Sequence, residues 1–171
     1  MKIKMIKKYL LQLLLLFIVA DLAHAELRVE ITQGADGARP IAVIPFARTG
    51  LAAPLPADVS AIIAADLQRS GKFAPVETSK LIAQPQNIEA VNYKLWRMAN
   101  VDHIVIGQIN MISAQQFEIE FRLLDVFKGQ QILGFKYRET DKTLRAAAHK
   151  ISDLIYERIT GQKGAFNTQV A

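Results

Sequence analysis

Along "ELRVEITQ" apolar and polar positions alternate, with Leu27, Val29 and Ile31 on one side and Glu26, Arg28 and Glu30 on the other. That period of two predicts a half-buried strand running from Glu26 to Gln33. "GADGARP" follows as a turn, its glycines free to take positive φ and Asp36 able to bond its own backbone. "IAVIPF" is a short, continuous apolar run of the kind that suits an interior strand, and Pro45, which has no N–H to give a ladder, should end it. Beyond Pro54 and Pro56, "ADVSAIIAADLQRSG" places Val59, Ile62, Ile63 and Leu67 on one helical face, with Asp58 as N-cap and Gly71 just past the end.

"KFAPVE" reads as another short strand, and 78–88, aperiodic and interrupted by Pro85, as a loop. "NYKLWRMAN" predicts a short helix from Asn92 to Asn100. "HIVIGQINM" is nearly all apolar and should be a central strand. "QFEIEFRLLDV" sets Phe117, Ile119, Phe121 and Leu123 against Glu118, Glu120 and Arg122, and "QQILGFKYR" returns across Lys128-Gly129 as its hairpin partner. The longest helix is "DKTLRAAAHKISDLIYERITG", with an apolar stripe of Leu144, Ala147, Ala148, Ile151, Leu154, Ile155 and Ile159 and a stop at Gly161. Strands interleaved with helices, then a hairpin, describe an α/β fold with a mixed β-sheet and packed helices. In the last residues, Phe166, Thr168 and Val170 alternate with Asn167 and Gln169, a strand pattern with no partner after it.

Charge alters the picture mainly at the front. The chain of 171 residues carries a formal +5, yet residues 1–25 hold four lysines and one acid. The remainder has 17 basic against 15 acidic side chains, which is no nucleic-acid footprint. The front end has the three parts of a secretory signal peptide: basic "MKIKMIKK", apolar "YLLQLLLLFIVA" and small-x-small "AHA". Its apolar run of 12 residues falls short of the about 20 that cross a bilayer, so cleavage after Ala25 and export to the periplasm are expected. With no cysteine, the chain has no disulfide framework, thiol nucleophile, thiolate metal site or N-terminal lipid attachment.

Catalytic chemistry finds little foothold. His103, opening an apolar strand, reads as a satisfied structural histidine, and His149, beside a helix stripe, as a surface residue or a neighbour of the core. Neither stands at metal-ligand spacing from other ligands. Glu118 and Glu120 share a strand face about 7 Å apart. They could serve an exported hydrolase as a carboxylate pair, but the alternation makes them the wet face of a one-sided sheet. Asp66, on the apolar side of its helix, is best read as linked to Arg69 or to a loop, and Trp96 as a packing residue. No phosphate loop or nucleophile elbow occurs. The surface should therefore act through partners, with no cofactor and no small-molecule substrate.

"RPIAVIPF" (39–46), "IIAADLQRSGKF" (62–73), "VDHIVIGQI" (101–109) and "HKISDLIYERITGQKGAFNTQVA" (149–171), together with the leader and "ELRVEI", resemble the N-terminal domain of the TolB family of the Tol-Pal envelope system. The resemblance implies an anticodon-binding-domain-like α/β domain over 26–161, with 162–171 as linker and start of a β-propeller that this chain lacks. Likeness to an RNA-binding fold carries no RNA function. It further implies a non-enzymatic periplasmic relay between the inner-membrane protein TolA and the outer-membrane lipoprotein Pal, acting in envelope integrity and constriction at division. Colicins and phage exploit that system, and other outer-membrane proteins are possible partners. TolA would bind the mature N-terminus, Glu26, Leu27, Arg28, Val29, Glu30, Ile31, Thr32 and Gln33, and Pal mainly the propeller. A different class remains open: a stand-alone α/β accessory domain of an outer-membrane assembly or cell-wall synthase complex.

Overall fold

The computed structural model describes residues 37–50 and 54–167. The leader, the strand read at Glu26–Gln33 and residues 168–171 lie outside them. Strand β1 (Arg39–Val43) lies parallel to β3 (Phe73–Pro75) on one side and to β4 (His103–Ser113) on the other. Next to β4, β5 (Gln116–Asp125) and β6 (Gln130–Thr140) continue as an antiparallel meander, giving the order β3-β1-β4-β5-β6. Helices α1 (Val59–Arg69), α2 (Tyr93–Met98) and α3 (Leu144–Thr160) complete the mixed α/β fold.

The helix ends follow local chemistry. Asp58 caps α1 by accepting from the Ala61 N–H at 3.1 Å, and Asn92 caps α2 by accepting from Leu95 at 3.2 Å. Asn100 closes α2 with a positive φ of 54°, which asparagine tolerates, and Gly161 closes α3 at 75°.

β1 ends at Val43, just short of Pro45, as expected, yet the chain does not leave the sheet there. The Ile44 N–H still reaches the Val105 carbonyl at 2.9 Å, and pairing with β4 resumes in β2 (Ala47–Thr49), with Ala47 opposite Gln108. Three residues with an arginine in the middle carry no strand pattern of their own; the neighbouring ladder holds them.

The sheet buries apolar side chains on both faces. Against α1 and α3 it presents Ile41, Val43, Val105, Ile109, Phe117, Ile119, Phe121 and Leu123, which meet Ile63, Leu67, Ala148, Ile151 and Ile155. On the opposite face Ala42, Ile44, Ile104, Ile106, Leu124 and Val126 lie beneath Trp96, Val91 and Val101, joined by Leu81, Ala83 and Ile88. The segment 78–88 is indeed irregular apart from one 3₁₀ turn at Thr78–Lys80. It is nonetheless a lid on the second core, so the sheet is one-sided only toward the middle of β5. The continuous run in β4 and the alternation in β5 follow directly, since each pattern records how many faces are covered.

Phe166 and Asn167 form a turn, not a strand, and are held against α3.

Candidate interaction surface

The TolA-contacting residues expected from sequence, Glu26–Gln33, lie outside the described residues, which begin at Gly37. Gly37 takes a φ of 103°, which only glycine adopts readily, and Arg39 then donates from Nη1 to the Ile159 carbonyl at 2.8 Å, satisfying an open end of α3. Gly37 and Arg39 share a recess of about 290 Å³ with Lys72, Thr160 and Gln162. The start of β1 and the end of α3 thus form one basic corner of the domain.

A second recess of about 450 Å³ adjoins Arg39 and is lined by His103, Asp125, Lys128, Ile132, Arg158 and Ile159. His103 differs from the sequence expectation: its Nδ1 is buried without a hydrogen-bond partner. Once strand pairing fixes the backbone at His103, no acceptor lies within reach of that atom. Burial pushes its pKa below the usual 6.5, although Asp125 and Asp102 pull the other way. Burial would raise Asp125, but the Lys128 backbone N–H at 2.8 Å and its ammonium outweigh this and hold the carboxyl below the ordinary range.

These directions set a pH dependence. A histidine with a depressed folded pKa contributes stability above its unfolded pKa, and this is lost as pH falls through the folded value. We expect the urea midpoint to decline as pH falls from about 7.5 through the unfolded histidine value of about 6.5 and on below it, and the decline to be shallower in His103→Gln. Parallel pH profiles for the two proteins would assign the slope elsewhere.

On the uncovered part of the opposite face, Glu118 and Glu120 do come together, but with cations. Lys136 Nζ lies 3.0 Å from Glu118 and 3.3 Å from Glu120; Arg122 binds the same Glu120, and Gln108 Nε2 donates to it at 3.1 Å. Burial would raise Glu120, yet Arg122, Gln108 and Lys136 together hold it below the ordinary value, and Lys136 is raised by its bonds to Glu118 and Glu120. An acid for glycoside chemistry needs its pKa raised, so this cluster has the wrong electrostatics for proton donation.

Asp66 takes Arg69, one of the two kinds of partner open to it, and in place of a loop a partner that sequence did not suggest. Fully buried, it binds Arg69 through one oxygen and, through the other, His149 Nδ1 at 2.7 Å. The link ties α1 to α3 across 83 residues, and only the polar residue on an apolar face hinted that a partner was needed. A neighbouring tie joins β6 to α3. Phe121, Phe135 and Tyr137 stack with centroids 6.0–6.5 Å apart, and Lys150 Nζ sits 4.7 Å over the Tyr137 ring. Trp96 packs in the second core, as its short helix suggested.

Among the described residues no group of three or more His, Asp or Glu could hold a metal ion, and no helix is long and apolar enough to cross a membrane. Fold and surface define a small α/β domain whose Glu118 and Glu120 are held by cations of its own sheet. Comparison with known proteins supplies the family. Residues 27–132 match the TolB amino-terminal domain, and the chain belongs to that family. It is 45% identical over 165 residues to the Tol-Pal system protein TolB of Thioalkalivibrio sulfidiphilus, covering 96% of this chain and 38% of that protein. With the Nitrosococcus oceani protein of the same name it shares 40% over 162 residues, covering 95% of this chain and 37% of the relative. The crystal structure of TolB from Acinetobacter baumannii superposes with a TM-score of 0.67 at 32% identity, over 81% of this chain and 32% of that one. The chain therefore spans only 32–38% of the length of these relatives.

Proposed function

We propose that the chain is a non-enzymatic, partner-binding part of a Tol-Pal system, exported to the periplasm, cleaved after Ala25, and bound by TolA through Glu26–Gln33. The 45% identity to a Tol-Pal system protein along nearly the whole chain carries this reading. Three apolar side chains on one face of that segment, Leu27, Val29 and Ile31, can dock in a groove, while its backbone can add to the edge of another sheet. Each anchor contributes about 1.5–3 kcal/mol at most if fully buried, which suits a segment that docks and is released. Pal contact belongs mainly to the propeller that follows this domain in the family. Envelope integrity, constriction at division and colicin or phage import follow from membership of the system rather than from any reactive group.

Deleting Glu26–Gln33, or replacing Val29 and Ile31 by aspartate, should abolish capture of TolA while leaving the far-ultraviolet circular dichroism and the melting curve of the domain intact. Periplasmic wild-type material should have the mass of a chain beginning at Glu26. Undiminished TolA capture by the deletion would put the contact elsewhere.

A further inference from the structure

From the end of α3 to Asn167 the chain stays against the domain. Gly161 reverses its direction in the left-handed region, and the Thr160 hydroxyl accepts the Gln162 N–H at 3.1 Å while donating to the Tyr156 carbonyl at 2.7 Å. The next residues run back along the helix. Asp153, near the middle of α3, turns its carboxylate on them: one oxygen accepts the Phe166 N–H at 2.8 Å and the other the Asn167 N–H at 3.3 Å. Asp153 is eight residues before Gly161, about 12 Å along the helix at 1.5 Å per residue, a distance the five residues from Gly161 to Phe166 can cover.

Two further features fit this segment to this helix. Gly164 sits directly on Asp153: a Cβ there would lie 2.7 Å from the Asp153 Cα and press on its carboxylate. The Phe166 ring meets Tyr156 edge to face, with centroids 5.8 Å apart at 80°, and Tyr156 meets Phe73 of β3 at 6.1 Å and 67°. The aromatic series therefore runs from the segment through α3 to the sheet.

We propose that α3 carries a built docking site for the chain's own Gly164–Asn167, made of the Asp153 carboxylate, the Tyr156 ring and a glycine-sized gap, so that this stretch after the helix is a fixed part of the domain and not a flexible linker. Each part has a chemical reason. A carboxylate with one oxygen for each of two successive N–H groups selects backbone, not side chain. The ring supplies an apolar edge-to-face seat. The gap admits only glycine at 164. A linker without such ties would be expected to be rich in solvated polar residues and to hold its direction poorly. Here "GAFN" departs from that composition, with an aromatic that seats on the Tyr156 ring and a glycine that fits against Asp153. The proposal rests on these contacts alone and stands whether or not the chain binds TolA.

Amide hydrogen exchange on the full chain tests it, read at Phe166 and Asn167 by nuclear magnetic resonance. In the wild type both amides should exchange at least about tenfold more slowly than unstructured amides. Asp153→Ala should remove that protection while the core amides of β4 and β5 keep theirs. Gly164→Ala, which leaves the carboxylate in place but fills the gap, should release the same two amides, and Phe166→Ala should weaken them. If Asp153 served only α3, its alanine variant would alter helix stability and leave exchange at Phe166 and Asn167 unchanged. That result, or unprotected amides in the wild type, would overturn the proposal.

Discussion

Trp96→Ala should lower the unfolding free energy by about 3–5 kcal/mol, the range for truncating a large aromatic in a packed interior. Trp96 is 1% exposed, and it is the buried side chain of α2, a helix of only six residues. So short a helix cannot persist by its own hydrogen bonds and depends on the face it buries. The other apolar side chains of the lid, Leu81, Ala83, Ile88, Val91 and Val101, are each smaller than the indole, and Arg97 Nη1 adds one bond to the Val126 carbonyl at 2.9 Å. Removing the indole leaves a cavity over Ala42, Ile44, Ile104 and Ile106, which the irregular chain around it cannot refill. Amides in 78–101 should lose protection before those of the α1/α3 side, and Trp96→Phe should restore a large part of the loss. A shift of less than about 1 kcal/mol in urea unfolding would show that the lid does not depend on this residue.

Gly107→Ala is expected to destabilise by at least about 1–3 kcal/mol through overpacking, and Gly107→Val by more. A Cβ at this position in β4 would stand 2.6 Å from two ring carbons of Phe46 and 2.8 Å from the Glu120 carbonyl oxygen. Phe46 is itself 6% exposed and enclosed by the core on the α1/α3 side, so its ring has little room to retreat. The Glu120 oxygen belongs to the backbone of β5, and moving it disturbs the ladder that pairs Gly107 with Phe121. Phe46→Leu should recover part of the loss in the double variant, since it relieves the ring contact but not the carbonyl contact. Equilibrium unfolding of the four proteins of the cycle gives the coupling directly, and additive losses would mean that the two positions do not collide.

Element types were legible in the chain because each rests on short-range physics. The alternation from Phe117 to Leu123 marks a sheet face that packs on helices, the capping chemistry of Asp58 and Asn92 starts two helices, and Gly161 ends a third. The leader-like pattern of residues 1–25, the lack of thiols and the family resemblance are likewise read from the sequence alone. What folding adds are the relations between distant segments, which no local period encodes. Irregular 78–88 becomes a lid because the other face of β1 and β4 is apolar and must be covered. Asp66 finds His149 across 83 residues because two amphipathic helices share one sheet face. His103, paired with Asp125 on the neighbouring strand, is left with a buried Nδ1 that has no hydrogen-bond partner, which its place at the head of an apolar strand did not show. The sequence also marked Phe166 as a strand residue from its alternation, but the Asp153 carboxylate and the Tyr156 ring, reached only when the chain reverses at Gly161, hold it against the helix instead. Periodicity records which side of an element is buried; which element does the burying is decided by packing in three dimensions.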